Sequence, residues 1–126
     1  LNKELWKTDG TAEGTVLVKE INPAASESSN PAGFTVLNDT LYFTASDTKL
    51  NYQLWKTDGT GEGTVMVDPA QQSNSFPTIL WTLNDALYFT ADDNANGREL
   101  LKTEGTNIQL VKDICPGACN GDVFYK

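Results

Sequence analysis

The 126-residue sequence has no histidine, two cysteines, one methionine and a single arginine, Arg98. Without an imidazole there is no Ser-His-Asp triad, no Cys-His dyad and no His-ligated metal centre. Basic residues are also scarce: nine Lys plus Arg stand against seventeen Asp plus Glu, a formal charge of −8. A chain of that sign without a dense basic stripe is repelled by phosphate backbones and anionic bilayers, so nucleic acid and membranes are not expected partners. The longest strongly apolar stretch, Thr78 to Leu83, falls far short of the ~20 residues that cross a bilayer as a helix. At roughly 100 to 200 residues per domain, the length fits one domain or part of one. The chain starts at Leu1 without a charged leader or apolar signal region, and is read as a processed or excised piece.

The two cysteines lie in Cys115-Pro116-Gly117-Ala118-Cys119. Two thiols with no histidine to join them do not complete a tetrahedral zinc site. A local disulfide formed in an oxidising compartment is the favoured expectation for Cys115 and Cys119, with free thiols the alternative. The three-residue spacing is not that of a thioredoxin-type redox pair.

What the sequence does contain is repetition. Glu4-Leu-Trp-Lys-Thr-Asp-Gly-Thr11 returns as Gln53-Leu-Trp-Lys-Thr-Asp-Gly-Thr60, and more weakly as Glu99-Leu-Leu-Lys-Thr-Glu-Gly-Thr106. A second marker, Leu37-Asn-Asp-Thr-Leu-Tyr-Phe-Thr-Ala45, recurs as Leu83-Asn-Asp-Ala-Leu-Tyr-Phe-Thr-Ala91. Both markers share a period in the high forties, the length of one supersecondary unit in repeat architectures.

Each period divides into four short extended pieces separated by turn residues. The clearest unit predicts strands over Thr78 to Leu83, Ala86 to Ala91, Glu99 to Thr103 and Ile108 to Ile114. Asn38-Asp39 and Asn84-Asp85 supply tight hairpin turns, since Asn and Asp tolerate positive φ. Asp9-Gly10 and Asp58-Gly59 open the turns between the third and fourth pieces, where glycine takes conformations that a Cβ forbids. The alternation of Leu41 with Phe43, and of Val16 with Val18, has the period of a strand, and no stretch keeps a helical period.

The expected fold is all-β. A repeated four-stranded unit of this length is the signature of a β-propeller blade. On that reading, residues 1–126 form one repeat region of about two and a half blades. Residues 1–32 are a half blade (third and fourth strands), 33–70 and 75–114 are whole blades, and 115–126 begin another. Because propellers close with ~4 to 8 blades, completion is expected from other copies of the chain or from a longer parent. An open stack of β units is the competing architecture.

The motif Glu-Leu-Trp-Lys-Thr-Asp-Gly-Thr-x-x-Gly-Thr resembles the ELW-type tandem repeats (ELWxxDGTxxGT) of large bacterial secreted or surface proteins, and the likeness covers nearly the entire chain. The resemblance implies a propeller-like arrangement outside the cytoplasm or on the cell surface, serving adhesion or binding, and no catalytic residue. The third copy departs from the pattern in lacking the Trp, and the Cys pair departs as well. Thr8-Asp9-Gly10-Thr11 and Thr57-Asp58-Gly59-Thr60 also resemble the Asp-box hairpins of sialidase propellers, where the carboxylate holds the turn. Sialidase chemistry does not follow, since a carboxylate substrate calls for several arginines.

The expected function is a non-enzymatic, extracellular binding module, in its sharper form a lectin. A purely structural scaffold or adhesin spacer is the first alternative, and a fragment of a propeller hydrolase the second. Trp81 aligns with Thr35 and is expected to point outward, either to stack on a sugar ring or, on an equal footing, to lie at a subunit contact, since interfaces favour Trp. Trp6 and Trp55 are repeat-equivalent; packing between blades is the favoured role for them and ligand contact the second. Asp92-x-Asn94-x-Asn96-Gly97 has the ligand spacing that opens a calcium loop, but the twelfth position is Thr103 rather than Glu. A polar hairpin is favoured there over a weak calcium or sodium site at Asp92, Asn94 and Asn96. No cofactor is otherwise expected.

Overall fold

The computed structural model describes residues 2–48, 52–67, 75–92, 97–105 and 107–112. They form three antiparallel sheets, and no described residue is helical. The backbone divides into two compact units, Leu1–Met66 and Val67–Lys126.

The first unit holds a two-stranded and a four-stranded sheet. Strand β1 (Leu5–Lys7) pairs with β2 (Val16–Lys19). A meander of β3 (Ala32–Leu37), β4 (Thr40–Ser46), β5 (Tyr52–Thr57) and β6 (Val65–Met66) follows in that spatial order. The second unit repeats the meander with β7 (Ser75–Leu83), β8 (Ala86–Asp92), β9 (Arg98–Thr103) and β10 (Ile108–Lys112). The strands expected in this unit occur with ends moved by one to three residues; Ile114, the expected end of the last, lies outside the described residues.

Turn chemistry sets the register. Asn38 and Asp39 adopt φ of 49° and 60°, and Asn84 and Asp85 adopt 49° and 62°. Two successive positive φ values give the type I′ hairpin, whose twist matches that of its strands. Leu37 is thereby set opposite Thr40, and Leu83 opposite Ala86. From those fixed pairs the alternation sends Phe43 and Ala45, or Phe89 and Ala91, to the same face.

In the first unit the two sheets stack face to face. Leu5, with Val18 and Ile21, packs on Phe43, Ala45, Trp55 and Met66 of the meander. Phe43 is completely buried, which contributes roughly 1.5–3 kcal/mol relative to an exposed ring. Two lysines span the same gap. Lys7 Nζ donates to the Gly59 carbonyl at 2.9 Å, and Lys19 Nζ to the carbonyls of Thr64 at 2.9 Å and Gly61 at 3.3 Å. In the second unit the repeat-equivalent positions Phe89, Ala91 and Leu101 are buried too.

Candidate functional site

The eight-residue motif folds into a turn in which nearly every conserved position of the two copies has a partner. Asp9 Oδ1 accepts from the Thr11 amide at 2.9 Å and the Thr11 hydroxyl at 2.7 Å. The Thr11 hydroxyl in turn accepts from the Gly14 amide at 2.9 Å. Thr15 donates its hydroxyl to the Thr11 carbonyl at 2.6 Å, so the 2.7 Å contact between Thr8 and Thr15 is donated by Thr8. Thr8 then accepts from the Gly10 amide at 3.0 Å. The second copy repeats each bond among Thr57, Asp58, Gly59, Thr60, Gly63 and Thr64.

Both first glycines of the turn sit at positive φ, 95° for Gly10 and 94° for Gly59, a region open to glycine at little cost. Gly14 and Gly63 are glycine for a different reason: a Cβ there would lie 1.9 Å and 2.0 Å from the carboxylates of Asp9 and Asp58. The Thr11 hydroxyl bond, and after it the Thr11 amide bond, hold the Asp9 carboxyl below its ordinary range, and Thr60 does the same for Asp58. These carboxylates are committed to their turns. In the third copy the longer Glu104 directs its carboxylate to Lys102 at 2.9 Å instead.

Glu4 has an unexpected role. Its carboxylate is buried and accepts from the amides of Ile21 at 2.8 Å, Asn22 at 3.4 Å and Ser29 at 3.2 Å, and from the Ser29 hydroxyl at 2.7 Å. It ties the segment after β2 to the start of β1 and to the approach to β3. Gln53 and Glu99, its repeat equivalents, are buried as well.

The structure separates the three tryptophans. Trp55 is 7% exposed, within the core between the stacked sheets, where it takes the packing role favoured for it rather than the second, ligand contact. Trp6, repeat-equivalent to it, is 56% exposed. The reason is its surroundings: Trp55 is covered by the β1–β2 sheet and has Phe43 opposite it across the strand pair, whereas β1 has only β2 beside it among the described residues. Trp6 lines an open groove of about 480 Å³ together with Lys3, Glu4, Asn30, Ala32 and Phe34. Phe34 is 52% exposed and stacks on Phe43 with ring centroids 5.7 Å apart.

Trp81 faces out as expected, at 42% exposure. It stacks on its cross-strand partner Tyr88, centroids 5.7 Å apart and planes 18° from parallel. Lys102 continues the row as the partner of Tyr88 on the other side. Arg98 donates to the Thr78 hydroxyl at 2.6 Å on the same sheet. The result is a stacked aromatic pair with Trp81 half-exposed, on a sheet that also carries the Lys102–Glu104 and Arg98–Thr78 pairs.

Asp92 ends β8 opposite Arg98. Asn94, Asn96, Cys115 and Cys119 lie outside the described residues, as does residue 106 of the third turn. Among the described residues no group of three or more His, Cys, Asp or Glu is placed to hold a metal ion. Comparisons with protein-family models, with curated proteins and with solved structures returned no match to this chain.

Proposed function

We propose that the chain is a binding module of the ELW-repeat type, extracellular or surface-borne, in which successive four-stranded sheets act as propeller-like blades and present aromatic rings to carbohydrate. The half-exposed Trp81, stacked on Tyr88, carries this reading. Trp81 offers a half-exposed ring backed by Tyr88, an apolar face of the size of a pyranose ring, while Lys102, Arg98 and Thr78 supply polar groups on the same sheet. Binding sites of this kind combine apolar surface with a few polar groups that fix orientation.

The blade arrangement is supported by the two meanders with matching turns and by the stacking of β1–β2 on the first of them. Further units come, on this proposal, from other copies or from a longer parent. No catalytic role is assigned, because the repeated carboxylates already have structural partners: Asp9 and Asp58 hold turns, and Glu4 holds three amides.

A glycan array read with the parent chain and with Trp81→Ala and Tyr88→Ala tests the proposal. Selective binding that both substitutions abolish, with melting temperature unchanged, supports it. Equal signals across the array would discard the lectin form and leave the scaffold reading.

A further inference from the structure

Two copies of the motif place aspartate directly before glycine, Asp9-Gly10 and Asp58-Gly59. In this order a polypeptide is open to attack on itself. The glycine amide nitrogen adds to Cγ of a protonated aspartate carboxyl, an N–Cγ bond forms, and the Cγ–OH bond breaks, so that the hydroxyl and the amide proton leave as water. A second water then opens the five-membered succinimide at its main-chain carbonyl and leaves isoaspartate, with one extra methylene in the backbone. Glycine favours the reaction because no Cβ hinders its nitrogen or restricts its φ.

In these turns both reacting groups are held. The Gly59 amide, which would be the nucleophile, donates its hydrogen to the Thr57 hydroxyl at 3.0 Å. Asp58 Oδ1 accepts from the Thr60 hydroxyl at 2.7 Å and the Thr60 amide at 2.9 Å. The carbon that would be attacked is packed against Gly63, so closely that a Cβ there would lie 2.2 Å from Asp58 Cγ. The Thr60 hydroxyl bond, and after it the amide bond, also hold the carboxyl below its ordinary range, and the anion lacks the hydroxyl that must leave. Lys7 Nζ fixes the glycine from the neighbouring sheet through its carbonyl, at 2.9 Å. Thr8 and Thr11 hold Gly10 and Asp9 in the same way. The third copy is the informative exception. Its carboxylate turns to Lys102 at 2.9 Å, and there the residue is Glu104, which would have to close a six-membered ring, a far slower reaction.

We infer that the threonine hydroxyls of the motif, Thr57 and Thr60 in one turn and Thr8 and Thr11 in the other, guard a labile Asp-Gly bond against conversion to isoaspartate. The motif is thus a chemical safeguard as well as a turn. Its failure at Asp58 would matter most, because the lengthened backbone would shift the Gly59, Gly61 and Thr64 carbonyls that Lys7 and Lys19 grip. The inference depends neither on the blade arrangement nor on the sugar platform.

The full chain is incubated at neutral pH and isoaspartate is measured site by site by peptide mapping with mass spectrometry. A synthetic peptide of residues 52–66, which carries the same Asp-Gly pair without the fold, is incubated beside it. Asp58 in the chain should convert at least about tenfold more slowly than in the peptide, the factor that one charge-assisted hydrogen bond supplies. Thr60→Val removes the hydroxyl and keeps the amide, and should speed conversion at Asp58 by about tenfold while Asp9 stays at the parent rate. Thr60→Ser returns the hydroxyl and should return the parent rate. A chain that converts as fast as the peptide, or a Thr60→Val variant that converts at the parent rate, would overturn the inference. So would a rise at Asp9 and Asp58 alike, which would assign the protection to global folding rather than to the hydroxyl.

Discussion

Replacing Gly63 by Ala gives the sharpest test of the turn. Gly63 does not have positive φ, so its backbone accepts Ala, and such a change ordinarily stabilises by about 0.4–1 kcal/mol through the unfolded chain. Here the new methyl would sit 2.0 Å from Asp58 Oδ1 and 2.2 Å from its Cγ, where real Cβ contacts essentially never fall below 3.0 Å. The carboxylate must retreat by about an ångström, more than its 2.7 Å and 2.9 Å bonds to Thr60 tolerate. Overpacking of this kind costs ~1–3 kcal/mol. Gly63→Ala is therefore expected to destabilise the parent chain but to stabilise an Asp58→Ala background, where the obstructing group is gone. The two effects should differ by at least about 1.5 kcal/mol, measured as urea midpoints in a double-mutant cycle. Equal effects in both backgrounds would refute the assignment of Gly63 to carboxylate clearance.

Acid should weaken the fold through the same turns. Asp9 and Asp58 titrate below the ordinary value of 3.8 in the folded chain, so their stabilisation is present above that value and lost as pH falls through the lowered folded pKa. The double Asn variant should show a flatter acid limb of urea midpoint against pH, and a parallel curve would reject this. Trp55→Ala should cost ~3–5 kcal/mol as a core truncation, whereas Trp6→Ala should stay within about 0.5 kcal/mol; equal melts would contradict their placement. Glu4→Ala leaves buried amides without an acceptor and should cost roughly 1–3 kcal/mol, and Glu4→Gln less, because an amide oxygen still accepts from Ile21. Lys19→Met should lower stability by about 1–2 kcal/mol and speed amide exchange at Gly61 and Thr64 if the two sheets come apart.

Strand positions and hairpin turns were readable because they depend on local rules: two-residue alternation, and Asn-Asp pairs that accept positive φ. The job of Asp9 and Asp58 was readable for the same reason, since their partners lie within a few residues. What escaped was set by neighbours far along the chain. Trp6 and Trp55 occupy closely matching sequence surroundings, and the flanking sheet separates a buried ring from an exposed one. Glu4 looked like one more repeated carboxylate, because nothing local announces Ile21, Asn22 and Ser29 as its partners. Lys7 and Lys19 gave no local signal either, their acceptors being carbonyls more than forty residues away.

Those lysines also give the stack a direction. Lys7 and Lys19 belong to the earlier sheet, and the carbonyls they grip belong to the turn of the later one. A junction made this way has a donor side and a receiving side, like a hook and an eye. Reversing the earlier sheet within this junction would carry both ammonium groups away from the turn carbonyls that hold them.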